Sequence, residues 1–414
     1  MTGGIPRTTI NFSLKQFLIV VKNLFNGTGK GKEIIGRFEK QFAEFVNAGH
    51  AISVYSGKTA LSICLDVLGA KKDDRIIVPA FTVSEVIDVI IAKGLRPVFV
   101  DADKNTGNID IRLLKQSIDK ETKFILMTHI YGNVCEVEQI REIAESKGIT
   151  LIEDAAQACG ASYKGRQTGN FGKLGYFSFG MLKNLNTLGG GMIVTSDDEY
   201  AYRIKESIKG FEPQGRMKIF FLALKSLIIR FFTNRQIFNL LIRPGLKLLG
   251  KSREKIVSLL FKAKPVKTAD MKTLNRSFLP AQAALGIYQL KMIEKINKLR
   301  IDKAAVLTEQ LKGLKEIRII KGSANALNIY LNYVICVEHR AKLADFLFAN
   351  GIDCGPGFLE ACPYIDRFKD YFKKCPYSLE LEKHNIYLPI HGLTCEQDML
   401  NLGKLIQKYY ETSA

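Results

Sequence analysis

Residues 150–195 read TLIEDAAQACGASYKGRQTGNFGKLGYFSFGMLKNLNTLGGGMIVT. An apolar run ends on the acids Glu153 and Asp154. About thirty residues later Lys183 stands on a small-residue turn, six positions before the triplet Gly189, Gly190 and Gly191. The triplet lacks the spacing of a dinucleotide-binding fingerprint and reads as a tight turn into strand-like MIVTS. TLIEDA and GYFSFG have the same short, apolar, strand-like texture.

Working outward, this texture alternates with helical patterns. From about residue 34, helical IIGRFEKQFAEFVNA precedes strand AISVYS, then helical TALSICLDVLG and strand RIIVPA. Helical VSEVIDVIIAKG, strand PVFVDA, helical DIRLLKQSI, strand KFILMTHI and helical EVEQIREIAESKG follow. Such alternation predicts βαβ units and an α/β fold with a mostly parallel, doubly wound sheet. After residue 268 come the helical run AQAALGIYQLKMIEKINKLRIDKAAVLTEQLKGL, strands IRII and YLNYVICV, helix AKLADFLFANG and a closing strand and helix. They predict a smaller C-terminal α+β domain, and 414 residues suffice for two cores. The expected organisation is an N-terminal arm 1–34, a large domain 35–215, a basic hydrophobic helical insertion 216–267 and a small domain 268–414.

In doubly wound sheets ligands sit at the carboxyl ends of the strands, where Ser56, Thr82, His129 and Asp154 are expected. A carboxylate ending an apolar strand is costly unless it meets a positive partner, so Asp154 is a candidate ligand for a protonated ring nitrogen. Its simpler alternative is an N-cap for a helix AAQA. Gln157 would lie one helical turn further on, on the same face. Ser56-Gly57-Lys58-Thr59 opens a helix after a strand, where backbone N–H groups and the helix dipole favour a phosphate. Gly57-Lys58-Thr59 is not a Walker A loop, because Ile52 stands where that loop needs glycine. Ser178 offers a hydroxyl five residues before Lys183. Lys183, taken alone, is most simply a surface lysine. With Asp154, Gln157 and Ser178 at these distances it becomes the candidate Schiff-base lysine of a pyridoxal phosphate enzyme.

The succession FEKQFAEFVNAGHAISVYSGKTAL, IIVPAFTV, PVFVDAD, HIYGN, IEDAAQACGASYKGRQTGNFGKLGYFSF, Lys183 and LPIH resembles the DegT/DnrJ/EryC1/StrS family of sugar aminotransferases. The resemblance implies a fold-type I transferase with pyridoxal 5'-phosphate as cofactor. Lys183 is implied as the lysine that carries the cofactor, Asp154 as the partner of the pyridine nitrogen, and Gln157 as a neighbour of the phenolic oxygen. Ser178, Gly57 and Lys58 match the phosphate contacts. An amino-acid donor, usually L-glutamate, a keto-sugar nucleotide acceptor and a homodimer are also implied, with a place in surface polysaccharide or lipopolysaccharide synthesis. A dehydratase branch has histidine at the lysine position, so Lys183 points to transamination. A sugar dehydratase and a non-catalytic, membrane-associated scaffold or regulatory member are the alternatives. The sequence departs from the pattern at Lys58, at Val83 where an aromatic commonly stacks, at residues 208–211, and near the CGPGF stretch.

The chain carries a net charge of +19. Residues 216–267 hold thirteen Lys/Arg against the single acid Glu254, so +12 of that charge belongs to one segment. The segment is rich in aliphatics and lacks a nucleic-acid-binding module, which argues against nucleic acid. On one continuous helix Lys218, Lys225, Gln236, Asn239 and Arg243 would fall within about 60° of one another, with Arg230 as a misfit. This predicts a cationic amphipathic helix over residues 217–265 lying on an anionic membrane, or a helical pair packed on a partner subunit. The eight cysteines are scattered, without a disulfide framework or a metal site. A polar N-terminus followed by only a short apolar FLIVV predicts a cytoplasmic protein, peripheral at the inner face of the membrane if the insertion binds lipid.

Overall fold

The computed structural model describes residues 4–249, 271 and 273–413. Its central sheet has seven strands. In spatial order they are His50–Val54, Gly191–Thr195, Leu174–Ser178, Thr150–Asp154, Thr122–Thr128, Arg75–Pro79 and Arg96–Val100. The last five run parallel to one another, and the first two pair antiparallel at one edge. The central strands are apolar on both faces because both faces are covered. Ile76, Val78, Leu126 and Ile152 enter one core, while Ile77, Ile125, Met127 and Leu151 enter the other. Helices such as Ser84–Ala92 and Val137–Lys147 connect the parallel strands. This is the α/β architecture expected from the alternation.

The smaller C-terminal layer is an antiparallel sheet of Ile317–Ile319, Tyr333–Val337 and Asn385–Leu388. It shares a core with the helices Ile293–Leu311, Arg340–Ala349 and Glu396–Ser413. The single helical run expected after residue 280 is two helices, Pro280–Leu290 and Ile293–Leu311. The break lets the first pack on the Thr28–Val46 helix while the second serves the C-terminal core. No glycine or proline marks the break at Lys291 and Met292.

The N-terminal arm crosses both layers. Ile5 bridges to Ile352, and Arg7 pairs with Asp353 at 3.1 Å and donates to the Cys354 carbonyl. The arm continues into a helix Leu14–Asn23, capped by Ser13 and Gln16. Thr28–Val46 then runs unbroken across residue 34.

The insertion differs from the single amphipathic helix, the first of the two forms expected of it. Its first helix, Arg216–Phe232, stops because the Thr233 hydroxyl bonds the Ile229 carbonyl and Asn234 caps the next turn through the Gln236 N–H. Gln236, Asn239 and Arg243 therefore do not share a helix with Lys218 and Lys225. Several polar groups bond back to the protein. Lys218 donates to the Tyr55 hydroxyl, Asn239 accepts from the Gly4 N–H, and Arg243 donates to the Phe348 and Ala349 carbonyls. Arg235 grips Asp398 with two bonds, at 2.8 and 3.2 Å. Residues 250–267 of the insertion lie outside the described residues.

Candidate active site

Three features of the fold converge at the carboxyl ends of the parallel strands. The first is the end of Thr150–Asp154. Glu153, fully buried, accepts from the Phe171 N–H at 2.6 Å and the Gly169 N–H, and lies 3.0 Å from Nε2 of buried His129. These bonds fix the strand end, so Asp154 projects from a rigid support. Asp154 is 4% exposed, and its Oδ1 accepts from the Ala156 N–H at 2.9 Å. Residues 155–160 form successive turns, not a helix, so Asp154 does not cap a helix AAQA. Burial pushes its carboxyl above the ordinary carboxylate range, with the Ala156 N–H, the Tyr176 hydroxyl and Lys183 pulling the other way.

The second is the loop between Leu174–Ser178 and Gly191–Thr195, which carries Lys183. Side chains of the Pro280–Leu290 and Ile293–Leu311 helices clamp it. Gln282 donates to the Thr187 and Gly189 carbonyls, Gln289 accepts from the Asn186 N–H, and Asn297 bonds Asn184. Lys183 is half-buried, and burial lowers the affinity of its amine for a proton against the opposing pull of Asp154 and Glu85. Each of Asp154 and Lys183 feels the other's charge.

The third is the Ser56–Gly57 turn. The Ser56 hydroxyl caps the helix Gly57–Val67 through the Thr59 N–H at 3.1 Å. Helix geometry leaves the N–H groups of Gly57 and Lys58 without intrahelical acceptors. A Cβ at Gly57 would stand 3.0 Å from the Ser178 Cβ, so the missing side chain lets the turn approach the Ser178 strand end. Tyr55, Ser56, Lys58, Ser178 and Gly189 line one opening there. Lys58 Nζ lies 3.9 Å from Oε1 of buried Glu85, which ties its charge to the site.

Gln157 lines the Lys183 cavity, and its Oε1 accepts from the Tyr131 N–H at 3.0 Å. Tyr131 holds φ +62°, a costly conformation for a bulky residue, with its ring buried against Phe81 and Tyr387. Gly132 follows at φ +79°, where a Cβ would press on the Gln157 carbonyl and the Leu331 N–H. The strained pair thus orients Gln157. Sequence reasoning missed this, although the dipeptide Tyr131-Gly132 was the available signal. Val83, Pro356 and Phe358 line the same cavity, which has a volume of about 230 Å³. Two of the four departures noted in the sequence, Val83 and the CGPGF stretch, therefore border Lys183. Residues 208–211 follow the helix Asp198–Ser207, and none of them lines the Lys183 cavity.

The model of the DegT/DnrJ/EryC1/StrS aminotransferase family matches residues 18–220 and 263–407. The chain belongs to this family. It is 26% identical to GDP-perosamine synthase of Vibrio cholerae over 393 residues, covering 92% of both chains. The aminotransferase from Psychrobacter cryohalolentis shares the fold at a TM-score of 0.77 and 19% identity, with 98% of this chain and 99% of that one covered. So does the Escherichia coli GDP-4-keto-6-deoxy-D-mannose-3-dehydratase with bound hydrated PLP, at 0.74 and 22%, covering 98% and 100%. The fold therefore serves an aminotransferase and a dehydratase alike, and the reaction must be read from the site.

Proposed function

We propose that this family member uses pyridoxal 5'-phosphate to transfer an amino group from an amino acid, L-glutamate by preference, to a keto-sugar nucleotide for surface glycan synthesis. The observation that carries the reading is buried Asp154 at a strand end within electrostatic reach of half-buried Lys183, which lines the same cavity as Gln157. The residues fit the cofactor. The buried Asp154 carboxylate calls for a cationic N–H, and the Gly57, Lys58 and Ser178 cradle calls for a phosphate.

When bound, the cofactor supplies an electron sink for negative charge at the amino-bearing carbon. The chain supplies the rest. Lys183 is the covalent anchor and, when free, moves a proton at Nζ, a task eased by the lowered basicity of its amine. Asp154 holds a proton on the ring nitrogen. Gln157, fixed by Tyr131, orients the ring edge, while Ser178 and the helix end hold the phosphate. Lys183 favours transamination over dehydration. Reconstitution should give a visible absorbance band that borohydride removes. Gly57→Ala should weaken cofactor binding ~10-fold in an absorbance titration by displacing Ser178, and unchanged affinity would argue against the cradle.

The reading includes a homodimer, which the family resemblance implies, and sedimentation velocity of the holoenzyme checks it. It also includes cytoplasmic residence with peripheral membrane contact. Two helices that pack side by side, Phe17 on Phe220, support that contact. Each carries an exposed apolar stripe, Leu14, Leu18 and Val21 on one, continued by Phe25 just past its end, and Met217, Phe221, Leu224 and Ile228 on the other. Residues 4–32 and 214–249 contain no Asp or Glu, and eight of their Lys/Arg are exposed (15, 22, 30, 32, 216, 218, 225, 247). A second copy of this face would meet like charge, whereas an anionic bilayer complements it. Among the described residues no helix is long and apolar enough to cross a membrane, so the contact would lie in the plane of the interface. The protein should co-sediment with phosphatidylglycerol vesicles at low salt, and Leu18→Glu with Phe221→Glu should release it. Equal recovery in the supernatant with neutral and anionic vesicles would reject the contact.

A further inference from the structure

Arg230 was the misfit of the insertion, and the structure places it in the last turn of Arg216–Phe232 beside the active site. It lines a cavity of about 180 Å³ that shares Thr9, Leu182, Lys183, Arg300, Ile390 and His391 with the Lys183 cavity. Its Nη1 is buried with no hydrogen-bond partner among the described residues. Arg300 and Lys303 from the Ile293–Leu311 helix line the same cavity. Arg300 spends Nη1 on the Leu331 carbonyl at 2.9 Å, and Lys303 spends Nζ on the His391 carbonyl at 2.8 Å. Neither contact neutralises a charge. Burial drives the proton affinity of all three groups down, Arg300 to about 10. His391 is driven to about 4 by burial, against the Pro6 carbonyl, and by these three neighbours. It stays neutral, donating from Nε2 to the Pro6 carbonyl and accepting the Leu393 N–H at Nδ1. The described residues lining the two cavities include no Asp or Glu. The acid felt by Lys303 is Asp398, which is already bonded to Arg235.

Partly buried cations without a carboxylate are costly, and an oxyanion would offset the cost. Arg230 lies in the stretch between the two family-matched segments, so this arrangement is not part of the matched family pattern.

We propose that Arg230, Arg300 and Lys303 form an oxyanion-binding subsite beside Lys183, for a carboxylate or phosphate carried by one of the two substrates. The identity of those substrates rests on the aminotransferase reading. Lys183 lines the cavity itself, so the group enters as an end of a substrate held at Lys183.

Holoenzyme carrying Arg230→Gln or Arg230→Lys would be compared with wild type in calorimetric titrations with glutarate and with inorganic phosphate, and in each half-reaction separately. The Gln variant should lose ~10-fold or more in affinity for at least one probe, with Lys restoring part of it and the melting temperature unchanged. A matching loss in the donor half-reaction assigns the site to the donor's carboxylate. A loss in the acceptor half-reaction assigns it to an anion of the sugar nucleotide. Because the titrations do not need turnover, they test the subsite even if the transamination reading fails. Equal binding of both probes by wild type and Arg230→Gln, or binding of neither, would overturn it.

Discussion

Replacing Lys183 with alanine is expected to abolish the visible, borohydride-sensitive band and to lower turnover by about 10⁴-fold or more, without unfolding the protein. The size follows from two roles lost together, the covalent anchor and the proton carrier. The fold should survive because the loop is held by others. Asn184 bonds the Cys159 carbonyl, and Gln282 and Gln289 bond the loop backbone. Removing a half-buried amine also relieves a desolvation cost. Absorbance and steady-state rates on the purified variant check this. A Lys183→Ala protein that kept the band and measurable transamination would mean that another amine serves.

Asp154→Asn carries the second large effect, a fall in turnover on the order of 10³-fold. The amide keeps the volume and can still accept the Ala156 N–H, so the loss reports the charge. The stability prediction has a definite sign. A buried carboxyl held above its ordinary range takes up its proton more readily folded than unfolded. Its contribution is therefore favourable at low pH and lost as pH rises through the folded value. At neutral pH the cofactor-free Asp154→Asn protein should be at least as stable as wild type. The rise in melting temperature on adding pyridoxal phosphate should shrink in the variant, because the cation that the carboxylate awaits no longer finds it. Thermal melts with and without cofactor check both, and an unchanged cofactor-induced rise would separate Asp154 from the ring nitrogen.

Much of the fold was legible because it is written locally. The parallel strands announce themselves as apolar runs buried on both faces, and the helix after Ser56 by its cap. Asp154, Gln157, Ser178 and Lys183 were legible as candidates because each sits at a strand end or on a loop of fixed length. Gln157 and Lys183 line one cavity, Asp154 lies within electrostatic reach of Lys183, and Ser178 lines the neighbouring opening at Ser56. What stayed hidden depends on contacts far apart in sequence. Nothing near Arg7 says that it will meet Asp353, and nothing near Arg230 says that it will reach the wall behind Lys183. Arg235, Asn239 and Arg243 turn toward the protein because partners in the arm and the C-terminal layer accept them, while Lys225, Gln236 and Lys247 stay exposed beside the apolar stripes. Periodicity alone gave the stripes but not which side faces in. The break at Thr233 and Asn234 did carry a sign, since asparagine is a strong cap. The break after Leu290 carried none.

Mass spectrometry of a keto-sugar nucleotide incubated with holoenzyme and ¹⁵N-labelled L-glutamate tests the account most directly. It predicts an amino-sugar nucleotide carrying the label, formed together with an equal amount of 2-oxoglutarate and absent with Lys183→Ala. A panel of keto-sugar nucleotides returned unlabelled, or recovered with a hydroxyl lost and no nitrogen gained, would contradict it.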